Sequence, residues 1–281
     1  MIIMRSLIAE TVQAAGLPVP VPAPTPVLVA IRAERHPGLD RLVFEFRDGL
    51  PVRRSGTYVK RLVADGSGED VRVTGDAILL LRFTGADGHD AFGTPSYGSA
   101  RTTYALPGII QVVNAGDFES VLSFGVGLAK RVPYRMYTLT SPSRVVVDFS
   151  APYWTVNAGI RLPDSTGHPR TVLRPVIPPG VARGALLRLF AGPTAAEQAA
   201  GLRLVSSHAT GFSKLTISRG VARVYLTGHV RGDGSAFTIA NEITLTLKRF
   251  PTICWVKIYD ASGRTQQPRG RCDSIPECLE P

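Results

Sequence analysis

Cysteine is absent from this chain until position 254: the only three, Cys254, Cys272 and Cys278, fall in the last 28 of its 281 residues. They form no Cys-x-x-Cys pair and have no neighbouring histidine, so the usual zinc spacings are excluded and no metal is expected. Long apolar runs are missing too, and no stretch reaches the roughly 20 residues of a membrane span. Histidine is scarce, and the five (His36, His89, His168, His208, His229) do not cluster along the chain. There is no Gly-x-Ser-x-Gly, no His-Glu-x-x-His and no phosphate loop, and Gly125-x-Gly127 lacks the rest of a dinucleotide fingerprint. These absences argue against hydrolase, metalloenzyme and nucleotide-dependent chemistry, and no cofactor is expected.

What is present is turn-forming and basic. With 28 Gly and 22 Pro, strands and turns should outnumber long helices, while 44% hydrophobic content with 19% charge is enough for a buried core. The net charge of +10 is uneven: 16 Lys and Arg against 14 Asp and Glu up to residue 150, but 16 against 8 beyond it. The second half is therefore expected to be the basic one. A basic surface suits polyanions, namely nucleic acid, anionic lipid headgroups or the phosphate and carboxylate groups of a bacterial wall, and charge alone does not choose among them. The expectation of a wall partner and no nucleic acid rests on the resemblances given below.

The chain turns on Val181 to Leu202. Ala182, Ala185, Leu186, Leu189 and Phe190 recur at helical spacing, Gly192-Pro193 stops the run, and Thr194 with Glu197 forms a capping box for a second short helix. Before it, strand signals dominate. Val27 to Glu34 and Leu42 to Arg47 read as a hairpin around His36 to Asp40. Further strands are expected at 58–64, 70–73, 77–84, 109–114, 135–139 and 144–149, which make an all-β sandwich or small barrel. Asp117 and Glu119 suggest the first turn of a helix. After the helices, Lys214 to Ser218 and Val221 to Thr227 form a hairpin about Arg219-Gly220. Ser235 is expected to cap a helix over 236–250, and 253–259 to close the sheet of a small α+β sandwich.

At the start, Met1 to Gly16 is a poor signal peptide, lacking a basic leader and a lipidation cysteine; an amphipathic helix or a misplaced start codon are the two readings. Residues 17–26 carry five prolines at alternate positions and read as a polyproline spacer. The expected division is 1–26 as a disordered or misassigned N-terminal segment with the proline spacer, 27–151 as the sandwich, 152–267 as the α+β unit and 268–281 as a cysteine-containing tail. In that tail Cys272 and Cys278 are the candidate disulfide, with Cys254 to Cys272 the competing pair, and Cys254 is expected to be a buried small hydrophobe.

Two sets of residues are candidates for binding. Tyr97, Arg101 and Tyr104, on the long glycine-dotted segment 85–108, suit stacking on sugar rings or a peptide. Arg219, Arg223, Tyr225, His229 and Arg231 form a candidate polar face on the second hairpin.

Two resemblances add to this. His36 to Phe46, Asn114 to Glu119, Val121 to Leu128 and Ser141 to Asp148 resemble an AMIN-like domain, which implies an extracytoplasmic module placed at the cell wall. Leu189 to Leu202, Gly220 to Gly228, Thr246-Leu247, Phe250 to Thr252 and Trp255-Val256 resemble a GerMN domain, known from sporulation and germination proteins and envelope lipoproteins. The acidic position that its relatives carry on the following strand is absent here, where Val224 to Thr227 stands. Together they imply a non-enzymatic, extracytoplasmic envelope protein that docks to peptidoglycan or an associated anionic glycan and to a second polymer or envelope protein. A membrane is implied only through an N-terminal signal or lipid anchor. The alternative is a scaffold in a sporulation, germination or signalling complex without glycan contact, and a wall hydrolase is the third reading.

Overall fold

The computed structural model describes residues 24–281, so the readings of Met1 to Gly16 and of most of the proline spacer lie outside the described residues. The first half runs β1 (Val27–His36), β2 (Leu39–Arg47), β3 (Arg53–Val59), β4 (Ala77–Thr84), β5 (Arg101–Thr103), β6 (Ile109–Phe118), β7 (Val121–Leu128), β8 (Tyr134–Thr140) and β9 (Ser143–Ser150). These make two antiparallel sheets, ordered β1-β2-β9-β8 and β3-β4-β7-β6-β5. Alternation drives the packing: Leu42, Phe44 and Phe46 of one sheet meet Leu79, Leu81, Phe83, Phe124 and Val126 of the other in one cluster. Phe44 and Phe83 touch edge to face, their ring centres 4.8 Å apart.

The second half runs β10 (Val156–Pro163), β11 (Pro169–Val176), α1 (Val181–Ala191), α2 (Ala195–Ala199), β12 (Ala209–Ser218), β13 (Val221–Gly228), α3 (Ile239–Leu247) and β14 (Trp255–Tyr259). β10 and β11 form a hairpin, and β12-β13-β14 a sheet whose last pair is parallel, as the α3 crossover requires. Leu186, Leu189 and Phe190 of α1 and Ile243 and Leu247 of α3 join Ile160, Val224 and Ile258 in a second cluster, separate from the first. Leu279 of the tail is buried in it, and Ser274 pairs with Lys257 beside β14.

Several expectations are corrected. The 58–64 strand lies earlier, at Arg53–Val59, and 70–73 contributes only a bridge from Asp70 to Val63. Asp117 belongs to β6, and Glu119 and Ser120, both at positive φ, form a tight hairpin turn where a helix start was expected. The 236–250 helix is shorter because the Ser235 hydroxyl bonds Phe237 locally, and Thr238 with Asn241 supplies the cap of α3 instead. Cys254 is exposed where a buried side chain was expected, and in the tail Cys272 is half-buried and Cys278 exposed. The Thr194–Glu197 capping box is present, and the Arg219–Gly220 turn has both residues at positive φ.

The two halves meet along α1. Its last carbonyls lack helical partners, and the sandwich supplies them: Thr103 Oγ1 donates to Ala191 O (2.6 Å), Gln111 Nε2 to the same oxygen (3.2 Å) and Arg72 to Phe190 O (3.4 Å). Cations near the negative end of the helix dipole add to this. Arg188, 2% exposed, reaches Pro107 O (2.7 Å) and Ile109 O (3.3 Å), while Asp40, wholly buried, accepts the N–H groups of Gly108 and Ile109.

One buried carboxyl makes stability depend on pH. Glu242 Oε1 accepts the Val205 N–H at 2.9 Å, and Oε2 has no partner. Burial, opposed by that bond and by the Arg203 charge, pushes the group up to about 8. In the unfolded chain it titrates near 4.3. Its contribution is therefore complete below that value and declines as pH rises through about 8. Thermal melts from about pH 5 to about pH 8 should fall for the native chain and stay flatter for Glu242→Gln, which should be more stable by about 2 kcal/mol at the upper end. Parallel pH profiles for the two proteins would contradict this.

Candidate functional site

Three depressions follow one another down the side of the sandwich where the edge strand β3 faces β8. The first, about 680 Å³, is lined by Arg53, Arg54, Ser55, Arg82, Tyr134 and Met136 among others. The second, about 450 Å³, is lined by Tyr58, Lys60, Asp76 and Arg131. The third, about 270 Å³, shares Asp76 and reaches the α1 junction through Lys130, Arg183 and Arg188. Tyr58 and Tyr134 stand between the first two, their rings 6.0 Å apart and edge on. Each ties the two sheets together: Tyr134 Oη donates to Gly56 O and Tyr58 Oη to Val132 O, both at 2.6 Å.

The lining is lopsided in charge, with eight basic residues against Asp76 alone. Arg82 is paired with Asp65 and Arg183 with Asp76, and Arg188 is buried. Arg53, Arg54, Lys60, Lys130 and Arg131 remain, all exposed, and none has a carboxylate partner among the described residues. Arg131 lies over the Tyr58 ring at 4.6 Å and Lys130 over Tyr153 at 3.4 Å, which holds these cations against aromatic faces. Such a row can hold a chain of phosphates or carboxylates.

The expected loop site is arranged differently. Tyr97 packs edge on against Phe124 at 5.5 Å, and burial, then the Asp117 charge, pushes its phenol up to about 12. Burial pushes Tyr104 up to about 12 as well, and its hydroxyl is enclosed without a partner. Arg101 donates to Gln111 Oε1 at 2.9 Å and so belongs to the α1 junction; burial lowers its pKa. The three therefore do not stand together on an open face, because the rings are large enough to fill the edge of the core.

On the second hairpin, Arg223 and Tyr225 share the outer face. Tyr225 stacks on Tyr259 at 4.5 Å with Lys214 5.7 Å from its ring, so Lys214 and Tyr259 complete a ladder across three strands. Arg219 sits in the turn at one end of β13; His229 and Arg231, the latter paired with Asp233, lie beyond the other, roughly 25 Å away. The five do not form one site. His208 pairs with Asp233 at 2.9 Å and not with His229, and His89 pairs with Asp117 at 2.7 Å, whose hydrogen bond raises its pKa. No group of three or more metal-ligating side chains occurs among the described residues.

The two-sheet sandwich, its hairpins and its strand order now stand beside the residues that suggested a family. Residues 26–151 match the AMIN-like domain family. A comparison with curated proteins found no match. Among solved structures, the tandem GerMN domains of the sporulation protein GerM from Bacillus subtilis are similar at 21% identity with a TM-score of 0.33, over 45% of this chain and 46% of that one. The chain thus spans less than half the length of that relative. The basic row lies on the AMIN-like module. Sequence reading missed it because its cations come from two segments some 70 residues apart; the dibasic pairs Arg53-Arg54 and Lys130-Arg131 were the available signal. In the second half six of the sixteen basic residues are paired with carboxylates, among them Arg174 with Glu197, Arg170 with Asp164 and Lys248 with Asp273. Among the described residues no helix is long and apolar enough to cross a membrane.

Proposed function

We propose that this chain is a non-catalytic, extracytoplasmic envelope protein whose AMIN-like module, residues 27–151, holds an anionic wall polymer along its basic side. The unit at 152–267, read as GerMN-like from its own residues, carries a second polymer or a protein partner, and 268–281 fastens the C-terminus to it. The observation that supports the reading is the set Arg53, Arg54, Lys60, Lys130 and Arg131, exposed, without carboxylate partners and aligned beside Tyr58 and Tyr134. The match to the AMIN-like family supports the wall as the source of the polymer.

Co-sedimentation with purified wall sacculi tests this. The native chain should pellet with sacculi at low salt and be released as salt rises, because exposed cations are screened within about 8 Å at physiological ionic strength. A folded chain that stays in the supernatant at low salt would overturn the docking reading, and release of soluble wall fragments would replace it with a hydrolase.

A further inference from the structure

Three large apolar side chains project from the end of the AMIN-like sandwich that faces away from the second module: Val52 (76% exposed), Phe92 (92%) and Phe118 (66%). Val52 and Phe92 come from separate loops and Phe118 ends β6, yet they share one place. Gly85 lies against Val52 and donates its N–H to Ser120 O at 2.7 Å, next to Phe118. The Asp117 carboxylate holds His89 at 2.7 Å and Gly88 N at 3.3 Å, which roots the loop that carries Phe92.

That loop is fixed. Asp90 Oδ1 accepts the N–H groups of Phe92 and Thr94, each at 2.9 Å, so the ring is presented at the tip of a tight turn. Its exposure is built in by the fold, and nothing among the described residues covers it.

The place in the fold indicates what does. The second module leaves from the opposite end, where Ala151 N bonds Gly38 O, about 25 Å away along the nine residues of β2. At the apolar end the chain enters from residues 1–26: Pro26 O accepts from Asp87 N at 2.9 Å. The segment before the prolines carries Ile2, Ile3, Met4, Leu7 and Ile8. The three exposed side chains have charges of both signs beside them, Arg47 and Arg53 against Asp48 and Glu119. The deformable headgroup and acyl boundary of a bilayer accepts separate apolar protrusions, and the same environment suits the apolar residues at 2–8.

We propose that this end rests on a lipid bilayer surface, with Phe92 and Phe118 inserted at the interface, Val52 beside them and the second module directed away from the membrane. The contact is apolar, in contrast to the charged contact of the basic side, which it adjoins at Val52 and Arg53.

Vesicle flotation with the full chain tests this, using phosphatidylcholine vesicles with and without phosphatidylglycerol. The native protein should float with both at high salt, and F92S/F118S, which leaves residues 1–26 intact, should lose about tenfold in partitioning. K60Q/K130Q/R131Q should float like the native chain while binding sacculi less, so failure here and failure of the wall reading are distinguishable. Both aromatic sites are exposed, and an unchanged circular dichroism spectrum confirms folding. F92S/F118S floating like the native chain, or flotation confined to anionic vesicles at low salt, would overturn the proposal. So would self-association in sedimentation velocity that the double variant abolishes without any vesicle binding.

Discussion

Arg188→Ala should destabilise the chain by about 3–5 kcal/mol and split its unfolding into two transitions. The side chain is 2% exposed, and its two terminal nitrogens are the donors that reach Pro107 O and Ile109 O across the junction. Truncation leaves two enclosed carbonyls without donors, each worth about 1–3 kcal/mol, and a cavity at the α1 surface. Burial already lowers the Arg188 pKa to about 9, so part of the loss is offset by removing a poorly solvated charge. Arg188→Met keeps the apolar stem and removes only the hydrogen bonds; it should lose less, about 1–2 kcal/mol. The transitions separate because the hydrophobic residues form two main clusters joined by a small third one, Ile110 with Leu187 and Ala191. Calorimetry and urea unfolding measure both effects. A single transition shifted by less than about 1 kcal/mol would mean that the junction is held elsewhere.

Asp40→Ala should be comparably severe, about 3–5 kcal/mol, though it touches only the sandwich. Oδ2 of this wholly buried carboxylate accepts Gly108 N at 2.6 Å and Ile109 N at 3.0 Å, and Oδ1 accepts the Arg35 guanidinium at 2.9 Å. Its loss strands two backbone donors and one cation. Asp40 and Arg188 grip the same Pro107 to Ile109 backbone from opposite sides, so the double variant should be non-additive by at least about 0.5 kcal/mol. Additive losses, read from urea midpoints, would show that the two act separately.

These two residues also mark the limit of what the sequence shows. The sandwich strands were legible from local alternation, as in Leu42, Phe44 and Phe46, and so was the first helix pair from Gly192-Pro193 and the Thr194–Glu197 box. The second hairpin announced itself through Arg219-Gly220. Asp40 was legible only as a turn residue and Arg188 was not singled out within its helix, because their partners are backbone groups some 70 to 80 positions away, and nothing local encodes those. Of the candidate sites, Arg223 with Tyr225 was placed on one face by alternation alone. Tyr97, Arg101 and Tyr104 were read as a stacking set because they interleave on a glycine-dotted segment; Arg101 is exposed, but the edge of the core had room for the two rings, which are half-buried. The basic side was illegible for the converse reason: a half-chain charge of +2 averages cations gathered on one flank with carboxylates paired elsewhere, such as Asp148 with Arg41.

The central claim is that this flank of the AMIN-like module grips an anionic wall polymer. It is tested most directly by pelleting the native chain and R53Q/R54Q/K60Q/K130Q/R131Q with sacculi across a salt series. The account predicts that the native chain binds at low salt and that the variant, folded and equally stable, has lost most of that affinity and nearly all of its salt dependence. Equal binding and an equal salt response would contradict it.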